Sequence, residues 1–315
     1  MLPTSTHTCT ETIRRYLLDE LGFDLVGIAP AGRLELEAGR YEEWIERGAH
    51  GSMEWMERNI ERRRDVREIL PSARSVIVVA KNYYTPHLHP DDPAHAKISR
   101  YAWGRDYHNI LPKKLKKLHQ HILTFAPGAE SRWYVDTGPV LEKQWAVRAG
   151  LGWMGKHTNV ITRELGSWVF LGVMISSLEL EYGLPIPDFC GTCTSCIDAC
   201  PTGAITAPYQ LDATRCISYI TIEQKPKTDI DPKLGATFEN WVLGCDICQD
   251  VCPWNRFQQP TNEEAFEPRA GMLDLTVAEL REMTDEEFQK RFQGSPVRRA
   301  TAEGMRRNAR GLGRM

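Results

Sequence analysis

CGTCTSCIDACPTGAI, residues 190–205, sets four cysteines at the spacing C-x2-C-x2-C-x3-C and follows the last with Pro201. Three thiolates two residues apart on one loop reach three corners of a single 4Fe-4S cubane. The fourth is carried away along the next helix to a second cluster, as in the cysteine run of two-cluster bacterial ferredoxins. A second run, Cys245-x2-Cys248-x3-Cys252-Pro253, is one ligand short, and the detached Cys216 supplies it. The exchange between runs then assigns Cys190, Cys193, Cys196 and Cys252 to one cluster, and Cys200, Cys216, Cys245 and Cys248 to the other. Zinc is the competing reading, but zinc sites favour two separated CxxC pairs, and three cysteines at consecutive x2 spacing followed by x3-C-P fit iron-sulfur geometry better.

Eight of the nine cysteines therefore lie between residues 190 and 252, and only Cys9, read as a plain free thiol, stands apart. The rest of the composition is that of a soluble globular protein: 315 residues, 42% hydrophobic, 26% charged, net charge -3. That length suits one large domain or two to three small ones. The start, MLPTSTHTCTETIRRYLLDELG, has no apolar core of signal-peptide length, and no run reaches the ~20 apolar residues that span a bilayer. The expectation is a cytoplasmic protein without a membrane segment, monomeric by default. In that reducing compartment clustered cysteines imply metal ligation rather than disulfides.

Outward from the cysteines, DLVGIAPAG (24–32), SVIVVAKNYY (75–84), RWYVDTGPV (132–140) and SWVFLGVMISSLEL (167–180) read as buried strands, and residues 10–21 as a helix. ILPKKLKKLHQHIL repeats Leu111, Leu115, Leu118 and Ile122 at helical spacing, with lysines on the other side. Residues 1–185 thus form an α/β (α+β) domain. LPIPD, residues 184–188, is a proline-punctuated linker into a ferredoxin-like segment, 186–258, and residues 259–315 read as helical, polar and basic.

In that last segment eight basic residues, Lys290, Arg291, Arg298, Arg299, Arg306, Arg307, Arg310 and Arg314, face the single acid Glu303 between positions 288 and 315. Such a block suits phosphate contacts with a nucleic acid or, equally, a solvated helical face. Two motifs are near misses. Gly150-x4-Gly155-Lys156 has the beginning of a phosphate-binding loop, but His157 replaces the hydroxyl that would coordinate magnesium. Asp106-x-His108 begins like the D-x-H-x-x-G signature of histidine-ligated cobalamin proteins, yet Leu111 stands where glycine belongs. One acid stands out: Asp136, after Trp133-Tyr134-Val135 and before Thr137-Gly138-Pro139, is expected at the carboxyl end of a buried strand. A partly buried carboxyl there has two equal readings, a general acid with a raised pKa or simply a turn-forming aspartate.

SRYAWGRDYH (99–108), VDTGPVLEK (135–143), GWMGKHTNVIT (152–162), the two cysteine runs and RCISYITIE (215–223) occur together in one order. In this the chain resembles the epoxyqueuosine reductases over about residues 10–310. The resemblance implies a cobalamin-dependent oxidoreductase that removes the epoxide oxygen from epoxyqueuosine at the wobble position of tRNA, leaving queuosine. It implies a nitroreductase-like cobalamin-binding domain, a ferredoxin-like module with two 4Fe-4S clusters and, at the carboxyl end, the start of a helical HEAT-like region. An external low-potential donor supplies the electrons.

By position in the family's motifs, Asp136 is the proton donor and Arg63, Ser99, Val160, Thr162 and Ser218 lie near the cobalamin, several through backbone atoms. Arg298, Arg299 and Arg306 are the residues assigned to tRNA phosphates. The rival reading is a ferredoxin-fused electron-transfer reductase that never touches RNA, its basic tail merely solvated.

Overall fold

The structure is a computed structural model that describes residues 5–312; of the basic residues named above, Arg314 lies outside them. Four strands form the central sheet in the order Leu25–Pro30, Ser75–Asn82, Val169–Ser176, Ser131–Tyr134. Every pairing is antiparallel, with Ile77 opposite both Ile28 and Met174. The sheet is therefore of the α+β kind, without the parallel crossovers of a wound α/β fold. All eight residues of Ser75–Asn82 are buried. Its odd positions Ile77 and Val79 pack under the helices Thr6–Arg15 and Leu111–Phe125. Its even positions Val76, Val78 and Ala80 pack under the helix Glu142–Arg148. A strand covered on both faces has no polar side to show, which explains the unbroken apolar run VIVVA.

The helix Leu111–Phe125 buries Leu111, Leu115, Leu118 and Ile122 as the spacing predicts. On the opposite face Glu142–Arg148 ends so close to the sheet that a Cβ on Gly27 would lie 2.4 Å from the Ala149 carbonyl oxygen, a contact only glycine permits.

A separate apolar core joins segments far apart in sequence. Ala96, Ile98 and Trp103 pack with Phe238, Trp241, Leu280, Phe288, Phe292, Val297 and Met305. Lys97–Ile98 pairs in parallel with Trp241–Leu243 through the middle of this core. The carboxyl-terminal segment is thus not the polar tail expected: its helices Val277–Glu282 and Asp285–Arg291 begin at Thr276 and Thr284 with capping boxes, and Thr301–Gly311 buries Ala302, Met305 and Ala309. Arginine-rich composition hid an apolar stripe at helical spacing.

Among the described residues no helix is long and apolar enough to cross a membrane.

Candidate functional site

The strands Ser75–Asn82 and Ser131–Tyr134 end, and Val169–Ser176 begins, on the same side of the sheet. There Tyr83, Asp136, Val169 and Phe170 form one wall of a cavity of about 1230 Å³. This exceeds the several hundred to 1,000 Å³ of ordinary small-molecule pockets. Cys200, Cys216, Cys245 and Cys248 line the same cavity, as do the solvent-exposed Trp55, Arg58, Arg298 and Arg299 and the half-buried Glu223.

The other four cysteines, Cys190, Cys193, Cys196 and Cys252, line a smaller cavity of about 170 Å³ with Phe189, Trp254 and Lys156. The two runs thus exchange their last members in space: Cys200 leaves its own run for the large cavity, and Cys252 leaves its run for the small one. Burial and then the neighbouring Cys252, Cys190 and Cys193 push the Cys196 thiol up to about 11. Burial followed by Cys245 and Cys216 raises that of Cys248 well above its usual range. Sulfurs crowded in this way ionise only when a cation compensates them, which is the behaviour of metal-cluster ligands. A hollow bounded by four sulfurs suits a polynuclear cluster better than a lone zinc.

The near-miss loop after Gly150 has its own role. Lys156 is buried and donates from Nζ to the carbonyl oxygens of Gly191 and Cys193 at 2.6 and 2.9 Å, fastening the first cysteine loop. His157, also buried, borders both cavities and accepts at Nδ1 from the Asn159 N–H.

Asp136 stands two residues past the strand Ser131–Tyr134 at φ 62°, in a left-handed turn that aspartate tolerates better than most residues. Glu142 Oε1 accepts its backbone N–H at 2.7 Å. Its Oδ2 accepts from Tyr107 Oη at 3.0 Å and lies 3.2 Å from His108 Nε2. The raised pKa of the general-acid reading is not found for Asp136: the hydrogen bond with His108 holds its carboxyl below the usual range, against the opposing effect of burial. The raised acid is its neighbour. Burial, then the charge of Asp136, pushes Glu142 up to about 8.

Arg63, Ser99 and Ser218 also line the large cavity. Arg63 is buried with its guanidinium 5.6 Å from the Tyr41 ring centroid, and Ser99 Oγ donates to the buried Asp246. Val160 and Thr162 do not reach the cavity wall. Val160 packs into the core beneath the sheet, and Thr162 Oγ1 is turned inward to the Gly166 carbonyl. Their part of the wall is formed by His157, Thr158 and Asn159.

The basic block divides. Arg298 and Arg299 line the large cavity, Arg299 paired with Glu223 at 2.8 Å. Arg306 lies elsewhere, paired with Asp285 and donating to the Met283 carbonyl. Arg307 is buried and donates to the carbonyls of Ile220 and Thr228, so Arg306 and Arg307, which read as part of a phosphate-binding run, brace the fold instead.

Sequence reasoning named Asp106 and His108 only to reject them as cobalt ligands, and missed Tyr107, Glu142, Lys143 and Trp55. The signal for the first three was present: Tyr107 falls inside SRYAWGRDYH, and Glu142 and Lys143 inside VDTGPVLEK, the motif that contains Asp136. Trp55 has no local signature beyond being a large apolar residue in a charged run.

A family model described as "Epoxyqueuosine reductase QueG, DUF1730" matches residues 63–137, and a "4Fe-4S double cluster binding domain" matches residues 189–255. The chain is 48% identical to an epoxyqueuosine reductase of Synechocystis sp., covering 90% of this chain and 98% of that protein. It is 45% identical to one of Cellulophaga algicola, covering 91% and 93%. A solved epoxyqueuosine reductase bound to an epoxyqueuosine-modified tRNA-Tyr stem loop superposes with a TM-score of 0.87 at 29% identity, over 96% of this chain and 80% of that one. A Bacillus subtilis epoxyqueuosine reductase whose catalytic aspartate loop is swung out of the active site superposes with a TM-score of 0.86 at 28% identity, with the same coverage.

Proposed function

Because the chain belongs to the epoxyqueuosine reductase family, we propose that it reduces epoxyqueuosine to queuosine at the wobble position of tRNA, with cobalamin and two 4Fe-4S clusters as cofactors. The observation that carries this reading is the large cavity itself, which is lined both by four cysteines and by Asp136.

Cys190, Cys193, Cys196 and Cys252 hold one cluster, and Cys200, Cys216, Cys245 and Cys248 the other; bound there, the clusters supply single electrons. The cavity's volume and its half-buried, largely apolar lining fit a macrocycle together with part of a nucleoside. Cobalamin bound there supplies reducing power toward the strained three-membered ring. Arg63, Ser99 and Ser218 are the chain's contacts to it.

The rest of the chemistry belongs to the protein. Removing the epoxide oxygen as water consumes protons, and a carboxyl at the cavity wall delivers one at the departing oxygen. Asp136 is that group. Glu142 fixes its turn by accepting the Asp136 N–H, and Tyr107 and His108 fix its carboxylate. Tyr83, Phe170, Tyr101 and Tyr107 give the cavity an aromatic lining around Asp136. The exposed Arg298 and Arg299 neutralise phosphates of the anticodon loop.

In architecture this reading gives a nitroreductase-like cobalamin domain over residues 1–185, a ferredoxin-like module over 186–258 and a HEAT-like helical region after it. The protein works in the cytoplasm as a monomer, with electrons from an external low-potential donor.

Anaerobic turnover of an epoxyqueuosine-containing stem loop, with and without added cobalamin, tests the proposal. Cobalamin-dependent formation of queuosine is expected, and its loss in Asp136→Asn with cofactor content intact. Retention of cobalamin without any binding of the RNA would favour the electron-transfer reductase instead.

A further inference from the structure

Three consecutive residues before the helix Leu111–Phe125 meet Asp136 at the cavity wall. Asp106 Oδ1 lies 2.7 Å from His108 Nδ1, and Asp136 Oδ2 lies 3.2 Å from His108 Nε2. Tyr107, stacked on Phe170 at 4.1 Å between centroids, adds its hydroxyl to the same Asp136 oxygen. All four side chains line the large cavity.

Proton counting on this row gives a definite result. A neutral imidazole has one N–H, and here each ring nitrogen faces a carboxylate oxygen, which only accepts when ionised. Both contacts are hydrogen bonds only if the row holds one proton more than a neutral histidine between two carboxylates provides. The same geometry explains why the Asp106-x-His108 pattern is not a metal-ligating one: neither ring nitrogen is free.

We infer that Asp106, His108 and Asp136 form a proton relay, in which the proton delivered to the departing oxygen is stored on the His108 imidazolium and passed through the Asp136 carboxylate. The inference rests on the epoxide-reducing function proposed above. In the delivery step the Nε2–H bond breaks and a carboxyl O–H forms on Asp136. That O–H then breaks as an O–H forms on the substrate oxygen. No electrons leave or enter the row, its charge falls by one, and a proton from water reloads Nε2. His108 and Tyr107 both engage Oδ2, so the carboxyl O–H forms on Oδ2 and is passed from there to the substrate oxygen in the cavity. Asp136 is the catalytic residue; His108 and Asp106 are positioning residues that act through it.

The electrostatics agree with the geometry. Burial disfavours the imidazolium, but the hydrogen bonds and charges of Asp106 and Asp136 outweigh it and push His108 up to about 9. The other groups facing the row are Glu142, which takes the Asp136 N–H, Lys143, whose charge helps hold Asp136 ionised, Arg299, whose charge also acts on Asp136, and the buried phenols Tyr101 and Tyr107. Asp136 with a depressed pKa is a poor reservoir at neutral pH, while His108 beside it is a full one.

The test is single-turnover deoxygenation of an epoxyqueuosine stem loop by the cofactor-loaded enzyme between pH 6 and 10, together with 15N NMR of the histidine side chains. In the wild type the rate falls above about pH 9, and both His108 nitrogens are protonated at pH 8. Asp106→Asn keeps the turn that Asp106 Oδ1 caps and moves the fall in rate down by about one pH unit or more, as loss of one charged partner lowers the histidine pKa. His108→Gln slows the reaction by about 10²-fold or more at neutral pH and removes the fall near pH 9. A pH profile that neither variant alters, or a His108 that titrates near 6.5, overturns the relay while leaving the function in place. A wild type that converts no substrate at any pH overturns the function, and the NMR titration still decides the state of His108.

Discussion

Glu142 accepts the backbone N–H of Asp136 at 2.7 Å, and Asp136 sits at φ 62°. One acid thereby holds the other in a turn that an L-residue rarely adopts, and it does so as a neutral carboxyl near neutral pH, since burial pushes it up to about 8. Glu142→Ala is expected to lower turnover by about tenfold or more through misplacement of Asp136. Glu142→Gln, whose amide oxygen accepts the same N–H, recovers most of it. Kinetics of the two variants with matched iron content distinguish placement from proton transfer.

The same raised acid has a stability signature. A carboxyl whose folded-state pKa lies above its unfolded value stabilises the fold fully below the unfolded value and loses that contribution as pH rises through the folded one. For Glu142 the window runs from about 4.5 to about 8. Glu142→Gln should flatten the decline of the urea midpoint across that window, measured on the holoprotein. An unchanged slope would show that Glu142 is ionised in the folded state.

Cys200 belongs by sequence to the first run but lines the cavity with Cys216, Cys245 and Cys248. Cys200→Ser and Cys216→Ser should therefore each cost the same cluster, and the double variant should lose no more iron than either alone. Cys196→Ser combined with Cys200→Ser should lose both clusters. Iron analysis and low-temperature EPR of the four proteins decide the assignment.

Lys156 donates to the Gly191 and Cys193 carbonyls from a buried position. Lys156→Met leaves those oxygens without their donor, at a cost of about 1.5–3 kcal/mol for each charged hydrogen bond lost. Iron content should drop toward one cluster per chain, with the loss on the cluster of Cys190, Cys193, Cys196 and Cys252. Signals from the other cluster should persist.

Arginines of the carboxyl-terminal segment separate by position. Arg298→Ala and Arg299→Ala should each reduce the salt dependence of stem-loop binding by about 0.7–0.9 of a log unit per log unit of salt. Arg307→Ala should leave that slope alone and instead destabilise the fold by about 2–4 kcal/mol, because its guanidinium is buried on the Ile220 and Thr228 carbonyls. Filter binding at several salt concentrations and a denaturant titration separate the two effects.

The features legible in the sequence are those encoded within a short window. The grouping of eight cysteines could be anticipated because ferredoxin-type spacing places three sulfurs on one loop and throws the fourth outward. The helix Leu111–Phe125 announced itself by four apolar residues at helical spacing. Features set by distant partners were not legible. The depressed pKa of Asp136 depends on His108, which reaches it from another loop, and the raised one fell on Glu142 instead. Arg307 read as a surface cation because nothing in its own helix reveals that the carbonyls of Ile220 and Thr228 wait above it. Motif position alone likewise did not reveal that the side chains of Val160 and Thr162 pack inward, or that His157, Thr158 and Asn159 line the cavity beside them.

The short parallel pairing of Lys97–Ile98 with Trp241–Leu243 runs through a core that also receives Phe288, Phe292 and Met305. Residues before, within and after the sulfur-rich segment are therefore joined in one core. Such a segment is not a self-contained cassette: a recombination breakpoint at either of its borders parts side chains that share one core.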